Sequence, residues 1–238
     1  LTNEEALKKA RIHPMNILLA MKTYAAGKGM RSSWPVTQAI VDACEEAFYK
    51  AFTYVEPSGK NILIGIDASG SMDSQIQDMP ITNREAAAVM AMVVARTEKN
   101  HFIYVFTNGG SWGSRDARMT EVSISAKDSL QTVCRKLDRD DWGGTDCSLP
   151  MRYAMDKKMD VDAFMVLTDN DTWDGPIQPF EALKKYRAKY NKKAKLIVGA
   201  FTSTEFTIAD PTDAGMLDIS GLDSHVPQLV SEFIKGNF

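Results

Sequence analysis

Short apolar segments alternate with helical patterns from Lys60 onward, and this alternation constrains the fold more than any other feature of the chain. The predicted strands cover residues 61–66, 102–106, 119–122, 163–167 and 195–200, with a last strand in either 206–209 or 216–219. Helical periodicity covers residues 82–96, 127–137, 148–157, 179–190 and 226–234. Short apolar strands between helices are typical of a parallel sheet that is buried on both faces. The sequence therefore predicts an α/β fold with a doubly wound, mostly parallel sheet flanked by helices.

The first 57 residues carry a different pattern, with helical spacing and no strand signal. Helices are predicted over residues 4–11, from Pro14 to about Gly27, and over 37–52. Pro57, Ser58 and Gly59 then form a turn and linker signal. We therefore divide the chain into an N-terminal α-helical extension, residues 1–57, and an α/β domain, residues 58–238.

Composition excludes several classes of function. The formal net charge is −3, so no global positive field attracts nucleic acid or an anionic membrane. The apolar runs are too short to cross a bilayer, so no membrane partner is expected. The odd number of cysteines, three, with no CxxC pair, indicates a reducing compartment rather than a disulfide framework. A cytoplasmic location is the resulting expectation.

Polar residues that can bind a cation follow the first predicted strand, in the sequence Asp67-Ala68-Ser69-Gly70-Ser71. Ligands in open α/β sheets bind beyond the carboxyl ends of the strands, which is where Asp67 falls. Oxygens spaced at i, i+2 and i+4 on a loop can converge on one point. Hydroxyl and carboxylate oxygens suit a hard divalent cation, most simply Mg²⁺, with Mn²⁺ or Ca²⁺ also compatible.

Two later loops carry matching chemistry. Thr145 follows a flexible glycine pair, and Asp169 follows the apolar strand that ends near Leu167. Each loop alone also fits an ordinary turn, strand exit or helix cap. Their combination with the first motif, in this order, predicts one metal site made by Asp67, Ser69, Ser71, Thr145 and Asp169. Asp73 and Asp78, just beyond the first motif, could reach the ion through water, but the expectation is that they are exposed loop carboxylates.

This arrangement of three loops resembles the metal-ion-dependent adhesion site (MIDAS) of von Willebrand factor A-type domains. In that family the loops carry Asp-x-Ser-x-Ser, a threonine and an aspartate, and Asp67, Ser69, Ser71, Thr145 and Asp169 match those positions. The resemblance implies that one coordination position stays open for water or for an acidic or phosphate-bearing group of a partner.

Longer sequence segments are similar to the Ro autoantigen (TROVE) family. They include 55–60, 143–151, 168–170, 194–198 and 206–211. The resemblance implies an A-type domain preceded by the last helices of the Ro helical-repeat ring. It also implies a role in ribonucleoproteins that bind noncoding Y-type RNA and act in RNA quality control. Nearly all of the ring lies outside this sequence, and RNA binding in the family is mainly a property of the ring.

Two functions remain open at this stage. The first is a Ro-like RNA-binding component whose A-type domain binds a divalent cation and recruits a partner. The alternative is an isolated metal-dependent protein-binding module without RNA binding of its own. An enzyme is not expected, because no general base accompanies the metal loops. The N-terminal helices could pack on their own domain or on a second copy in a homo-oligomeric ring, through Leu18, Leu19, Tyr24, Phe48 and Phe52.

Overall fold

The structure is a computed structural model of the 238-residue chain. It describes residues 2–29, 31–77, 79–107, 117–138, 144–169, 175–202, 208–222 and 225–237.

Six strands of the described chain form one sheet. They are β1 (Ile62–Asp67), β2 (His101–Thr107), β3 (Arg118–Glu121), β4 (Ala163–Thr168), β5 (Lys195–Ala200) and β6 (Met216–Ser220). Their order across the sheet is β3-β2-β1-β4-β5-β6. The edge strand β3 is antiparallel to β2, and the other neighbours pair in parallel. The prediction of a mostly parallel sheet is confirmed.

Eight α-helices surround the sheet in the described chain. They are α1 (Glu4–Ala10), α2 (Pro14–Ala25), α3 (Gln38–Ala51), α4 (Asn83–Thr97), α5 (Leu130–Leu137), α6 (Leu149–Asp156), α7 (Pro179–Lys189) and α8 (Val226–Lys235). Short 3₁₀ turns cover Phe52–Tyr54 and Gly70–Asp73. No helix of these described segments is both long enough and apolar enough to cross a membrane.

Helices cover both faces of the sheet, as expected for a doubly wound fold. Successive side chains of a strand point to opposite faces. Ile64 and Ile66 accordingly belong to one core with α4, α5 and α8, whereas Leu63 belongs to a second core with α6 and α7. All residues of β1 and β4 are buried. This two-sided burial explains why these strands appear in the sequence as continuous apolar runs.

The N-terminal helices pack on α4 of their own chain. Leu18, Phe48 and Phe52 are buried in the same core as α4. The guanidinium of Arg96 lies 4.3 Å from the centre of the Phe52 ring, and Leu130 N donates a hydrogen bond to Tyr49 Oη. Of the two alternatives for the helical extension, packing on its own domain is the one observed for these three apolar side chains. Leu19 and Tyr24 are only half-buried.

Two elements differ from the sequence-based expectation. Helix α5 begins at Leu130 rather than 127, because Ser129 caps it by accepting a hydrogen bond from Thr132 N. The Asp128 carboxylate instead accepts a hydrogen bond from Ser125 N in the preceding turn. The last strand is the later of the two predicted segments, and residues 206 and 207 of the earlier one lie outside the described residues.

Candidate metal centre

The carboxyl ends of β1 and β4 lie side by side, and this is where the chain reverses its direction of travel across the sheet. After β1 the chain adds β2 and β3 on one side, and it then returns to place β4 on the other side of β1. A crevice forms beyond the strand ends at such a reversal. Asp67 ends β1 and Thr168 ends β4, so both enter this crevice.

Asp67 is the centre of the hydrogen-bond network at this rim. Its side chain is almost fully buried, with the residue 1% exposed. Its Oδ2 accepts hydrogen bonds from Thr145 Oγ1 at 3.0 Å and from Thr168 Oγ1 at 2.9 Å. Its Oδ1 accepts one from Ser69 N at 2.8 Å. Burial raises the pKa of Asp67, and the hydrogen bonds from Ser69, Thr168 and Thr145 only partly oppose that shift.

The first loop, residues 68–73, carries the two serines. Ser69 precedes the 3₁₀ turn and Ser71 lies within it, and their Oγ atoms are 2.9 Å apart. Ser69 is half-buried and Ser71 is exposed. Both serines are therefore more exposed to solvent than the buried Asp67.

The second loop, residues 138–147, is described at Asp138 and from Gly144 onward, and it carries Thr145. Thr145 is buried and donates to Asp67 across 78 residues of sequence. The neighbouring carboxylate of Asp146 fixes the turn into α6. Its Oδ1 accepts hydrogen bonds from Ser148 N at 2.9 Å and Ser148 Oγ at 2.5 Å, and its Oδ2 accepts one from Arg152 Nη1 at 2.7 Å.

The third loop, residues 169–175, begins with Asp169 and is described only at that residue and at Gly175. Asp169 is half-buried and directly follows Thr168. Its backbone oxygen accepts a hydrogen bond from Thr202 N, which fixes the start of the loop beside the end of β5. In the described part of the chain its carboxylate makes no hydrogen bond to the other four predicted ligands. The structure thus links those four through hydrogen bonds and adds Asp169 at the same rim.

The second and third loops also approach each other closely. Gly175 has a φ of +120°, and a Cβ atom there would lie 2.5 Å from Asp146 Oδ1. A larger residue at this position would therefore displace the carboxylate that holds the turn after Thr145.

The donor set fits a hard cation. Two carboxylates and three hydroxyls offer only oxygen, which Mg²⁺, Mn²⁺ and Ca²⁺ accept. Among the residues the structure describes, no group of three or more His, Cys, Asp or Glu side chains is placed to hold a metal ion, so the hydroxyls would have to complete the donor set. The carboxylate of Asp67 is desolvated yet lacks a basic side chain among the hydrogen-bond partners given above. A bound cation would supply that missing positive charge.

Three residues that shape the site were not predicted from sequence. Thr168 donates to Asp67, Asp146 holds the second loop, and Arg84 contacts both Asp73 and Leu137 O. A polar residue at the end of an apolar strand was the available signal for Thr168. Asp73 is exposed, as expected, but it is ion-paired with Arg84. Asp78 lies outside the described residues.

A family model described as the Ro60 vWA domain matches residues 61–234, which is well over half of the chain. The chain belongs to this family. The match spans every strand and all three loops of the candidate centre, and it confirms the resemblance predicted from sequence.

Relatives of this Ro60 vWA domain extend the match to the N-terminal helices. The "RNA-binding protein RO60" of Caenorhabditis elegans is 42% identical over 239 residues, which is 99% of this chain and 36% of that protein. The protein of the same name from Deinococcus radiodurans is 38% identical over 240 residues, 99% of this chain and 44% of that protein. The crystal structure of the Deinococcus radiodurans RO (RSR) protein matches all of this chain and 47% of that one, with a TM-score of 0.90 and 37% identity. The chain thus spans less than half the length of these relatives.

Proposed function

We propose that this chain is a Ro-family RNA-binding component whose A-type domain binds a divalent cation and recruits a partner through it. Asp67, Ser69, Ser71, Thr145 and Asp169 are the proposed ligands, and Mg²⁺ is the proposed ion, with Mn²⁺ or Ca²⁺ as substitutes. The observation that carries the metal part is the convergence of hydroxyls from separate segments on the buried carboxylate of Asp67.

The partner at the metal is proposed to carry a carboxylate or a phosphate. A bound cation would supply positive charge and a coordination position open to an anionic oxygen. Ser71 is exposed and Asp67 is buried, so an ion between them would face solvent on one side. An acidic protein segment or an RNA phosphate would reach the ion from that side.

RNA binding is proposed from the relatives, which are named as RNA-binding proteins rather than as enzymes. A noncoding RNA of the Y type is the proposed RNA partner, and the role is proposed to be RNA quality control in the cytoplasm. The odd number of cysteines, three, with no CxxC pair, supports the proposed reducing compartment. The alternative remains a metal-dependent protein-binding module without RNA binding of its own, because this chain spans less than half of those relatives.

Titration of the metal-free protein with MnCl₂, followed by calorimetry, tests the metal site. We expect one ion per chain for the wild type and no binding for Asp67→Asn, because the substitution removes the central negative charge. Asp156→Asn is the matched control, since Asp156 is an exposed carboxylate at the end of α6. Wild-type protein that binds no Mn²⁺, or an Asp67→Asn variant that binds it normally, would remove the metal from the account.

RNA binding is tested by filter binding of a structured noncoding RNA over a range of salt concentrations. We expect log K to fall linearly with log salt, because phosphate contacts release counterions. Binding that persists in EDTA would place the RNA contacts away from the metal. Absence of RNA binding together with intact Mn²⁺ binding would favour the alternative module.

Self-association through the N-terminal helices stays a proposal. Three large apolar residues are exposed in this region. Val36, just before α3, is 44% exposed, Ile40, in the first turn of α3, is 38% exposed, and Ile12 is 40% exposed. Sedimentation of the protein with and without RNA tests it, and a monomer at all concentrations in both conditions would rule out a ring of this chain.

A further inference from the structure

Arg84, in the first turn of α4, contacts the end of the first loop and the start of the second loop. Its Nε donates to Asp73 Oδ1 at 2.6 Å and its Nη2 to Asp73 Oδ2 at 3.2 Å. Its Nη1 donates to Leu137 O at 3.1 Å, and its Nη2 lies 3.5 Å from Asp138 Oδ1. One guanidinium therefore joins the end of the first loop to the end of α5, where the second loop begins.

The Arg84 side chain is buried, and this restricts where its hydrogen-bond acceptors can lie. The Arg84 side chain is 5% exposed, whereas those of Asp73 and Asp138 are 61% and 58% exposed. A buried guanidinium must satisfy its donors, and its planar fork fixes where the acceptors stand. The two exposed loop ends are thus held in place by a rigid group beneath them, because moving either end would leave a buried charge with fewer partners.

The Asp73 contact lies close in sequence to a proposed ligand, and the contacts with Leu137 and Asp138 lie at the start of the loop that carries another. Asp73 is two residues after Ser71 and ends the same 3₁₀ turn. Leu137 and Asp138 end α5 and lead into the loop that carries Thr145. Asn83, the residue before Arg84, also points its Nδ2 at Ser71 O, 3.5 Å away. The first turn of α4 therefore contacts the backbone at Ser71 and the start of the loop that carries Thr145.

We propose that Arg84 is a positioning residue that sets the spacing between the first and second loops and thereby tunes the affinity of the site for its cation. This inference rests on the proposed metal-binding function. Groups that orient metal ligands without touching the metal commonly change metal affinity by about 10- to 100-fold when they are altered. Arg84 contacts the loops that carry the ligands rather than the ligands' own oxygens. We therefore expect its loss to change the metal affinity by an amount near the lower end of that range.

The adjacent residue, Glu85, supplies a matched control. Its carboxylate binds Lys22 Nζ of α2 at 2.6 Å, so this ion pair ties the helical extension to α4 rather than to a metal loop. The two ion pairs lie in the same turn of α4 and involve partners of similar chemistry. Only the pair made by Arg84 should affect the metal.

The experiment compares Asp73→Asn, Arg84→Lys and the control Lys22→Met. Asp73→Asn changes an exposed side chain, so the protein should fold even if loss of the buried arginine is not tolerated. We expect the Mn²⁺ affinity to fall about tenfold in Asp73→Asn and Arg84→Lys, and to stay at the wild-type value in Lys22→Met. In the metal-free proteins, hydrogen exchange should become faster in peptides covering 68–76 and 136–147 for the first two variants only.

The outcomes separate this inference from the proposed function. If the wild type binds no Mn²⁺, the metal-binding function itself fails. If the wild type binds Mn²⁺ and both Arg84 pair variants bind it equally well, with unchanged exchange, the positioning role is wrong. An equal loss of affinity in Lys22→Met would also overturn it, because general loosening of α4 would then explain the effect.

Discussion

Asp67 combines burial with a negative charge, and in the metal-free protein these two properties conflict. The residue is 1% exposed, and its hydrogen-bond donors in the described chain include the backbone N–H of Ser69 and the neutral hydroxyls of Thr145 and Thr168. Neutral donors offset only part of the cost of burying a charge. The raised pKa of Asp67 expresses this conflict, and a cation at the rim would resolve it.

The sign of this pKa shift gives a prediction about stability and pH. Because the pKa of Asp67 is higher in the folded than in the unfolded chain, its contribution to stability is present below the unfolded pKa and is lost as pH rises through the folded pKa. In metal-free protein we therefore expect Asp67→Asn to melt a few degrees higher than the wild type at neutral pH. The difference should disappear in acid.

Differential scanning calorimetry in EDTA, from neutral pH into acid, compares the melting temperatures of the wild type and Asp67→Asn. An asparagine can turn its amide nitrogen toward Thr145 and Thr168, whose hydroxyls can rotate to accept. Added Mn²⁺ should reverse the order at neutral pH, because it stabilises only the protein that binds it. A wild type that is more stable than Asp67→Asn in EDTA at neutral pH would contradict the electrostatic argument.

At the scale of elements, the site depends on how closely α6 packs on β1. Gly65 lies in the middle of β1, and a Cβ atom there would lie 2.5 Å from Cγ of Pro150 in the first turn of α6. The absence of a side chain lets the helix approach the strand. Thr145 and Asp146 lie just before that first turn. The distance between α6 and β1 therefore determines how near Thr145 comes to Asp67.

Gly65→Ala should therefore affect both stability and metal binding. The added methyl group must push Pro150 outward, and overpacking of this kind costs about 1–3 kcal/mol. Gly199→Ala in β5 is the control, because its Cβ would meet only the flexible end of Leu167, at 2.9 Å. We expect Gly65→Ala to weaken Mn²⁺ binding and Gly199→Ala to leave it unchanged, as measured by titration and by urea unfolding. Equal Mn²⁺ affinity in both variants would show that the distance between α6 and β1 does not control metal binding.

At the scale of the whole molecule, the helical extension and the α/β domain share one hydrophobic core. Phe48 and Phe52 pack edge to face at 5.1 Å, and Arg96 of α4 lies over Phe52. Phe48 and Phe52 belong to the same buried cluster as Ile64 and Ile66 of β1. Because this core is continuous, we expect the helical extension and the α/β domain to unfold together. This holds although the sequence pattern changes between them from helices alone to alternating strands and helices.

Phe48→Ala tests this continuity. Truncation of a fully buried phenylalanine costs about 3–5 kcal/mol, and the loss should lower one cooperative transition of the whole chain. Circular dichroism and the fluorescence of Trp34, which lies in the extension, should report the same midpoint in urea when the other three tryptophans are replaced by phenylalanine. A variant whose extension melts first, with the α/β domain unchanged, would show that the shared core does not couple the two parts.

The sequence was sufficient to predict the fold class and the order of the strands along the chain, because two-sided burial produces apolar runs and strand exits produce polar motifs. The five proposed ligands come from the sequence, since each follows a strand or a glycine pair, and they stay a prediction. It could not predict the contacts of Arg84, or the packing of Gly65 and Gly175, because these join residues far apart in sequence. It left open which surface the N-terminal helices would cover, since amphipathic periodicity identifies an apolar face but not its partner.

The most direct test of the central claim is a crystal structure of this protein with Mn²⁺, using the anomalous signal of the ion to locate it. The account predicts an anomalous peak at the rim between β1 and β4, bound by Asp67, Ser69, Ser71, Thr145 and Asp169 directly or through water. A rim without a peak at saturating Mn²⁺, with Thr145 and Thr168 still donating to Asp67, would contradict it.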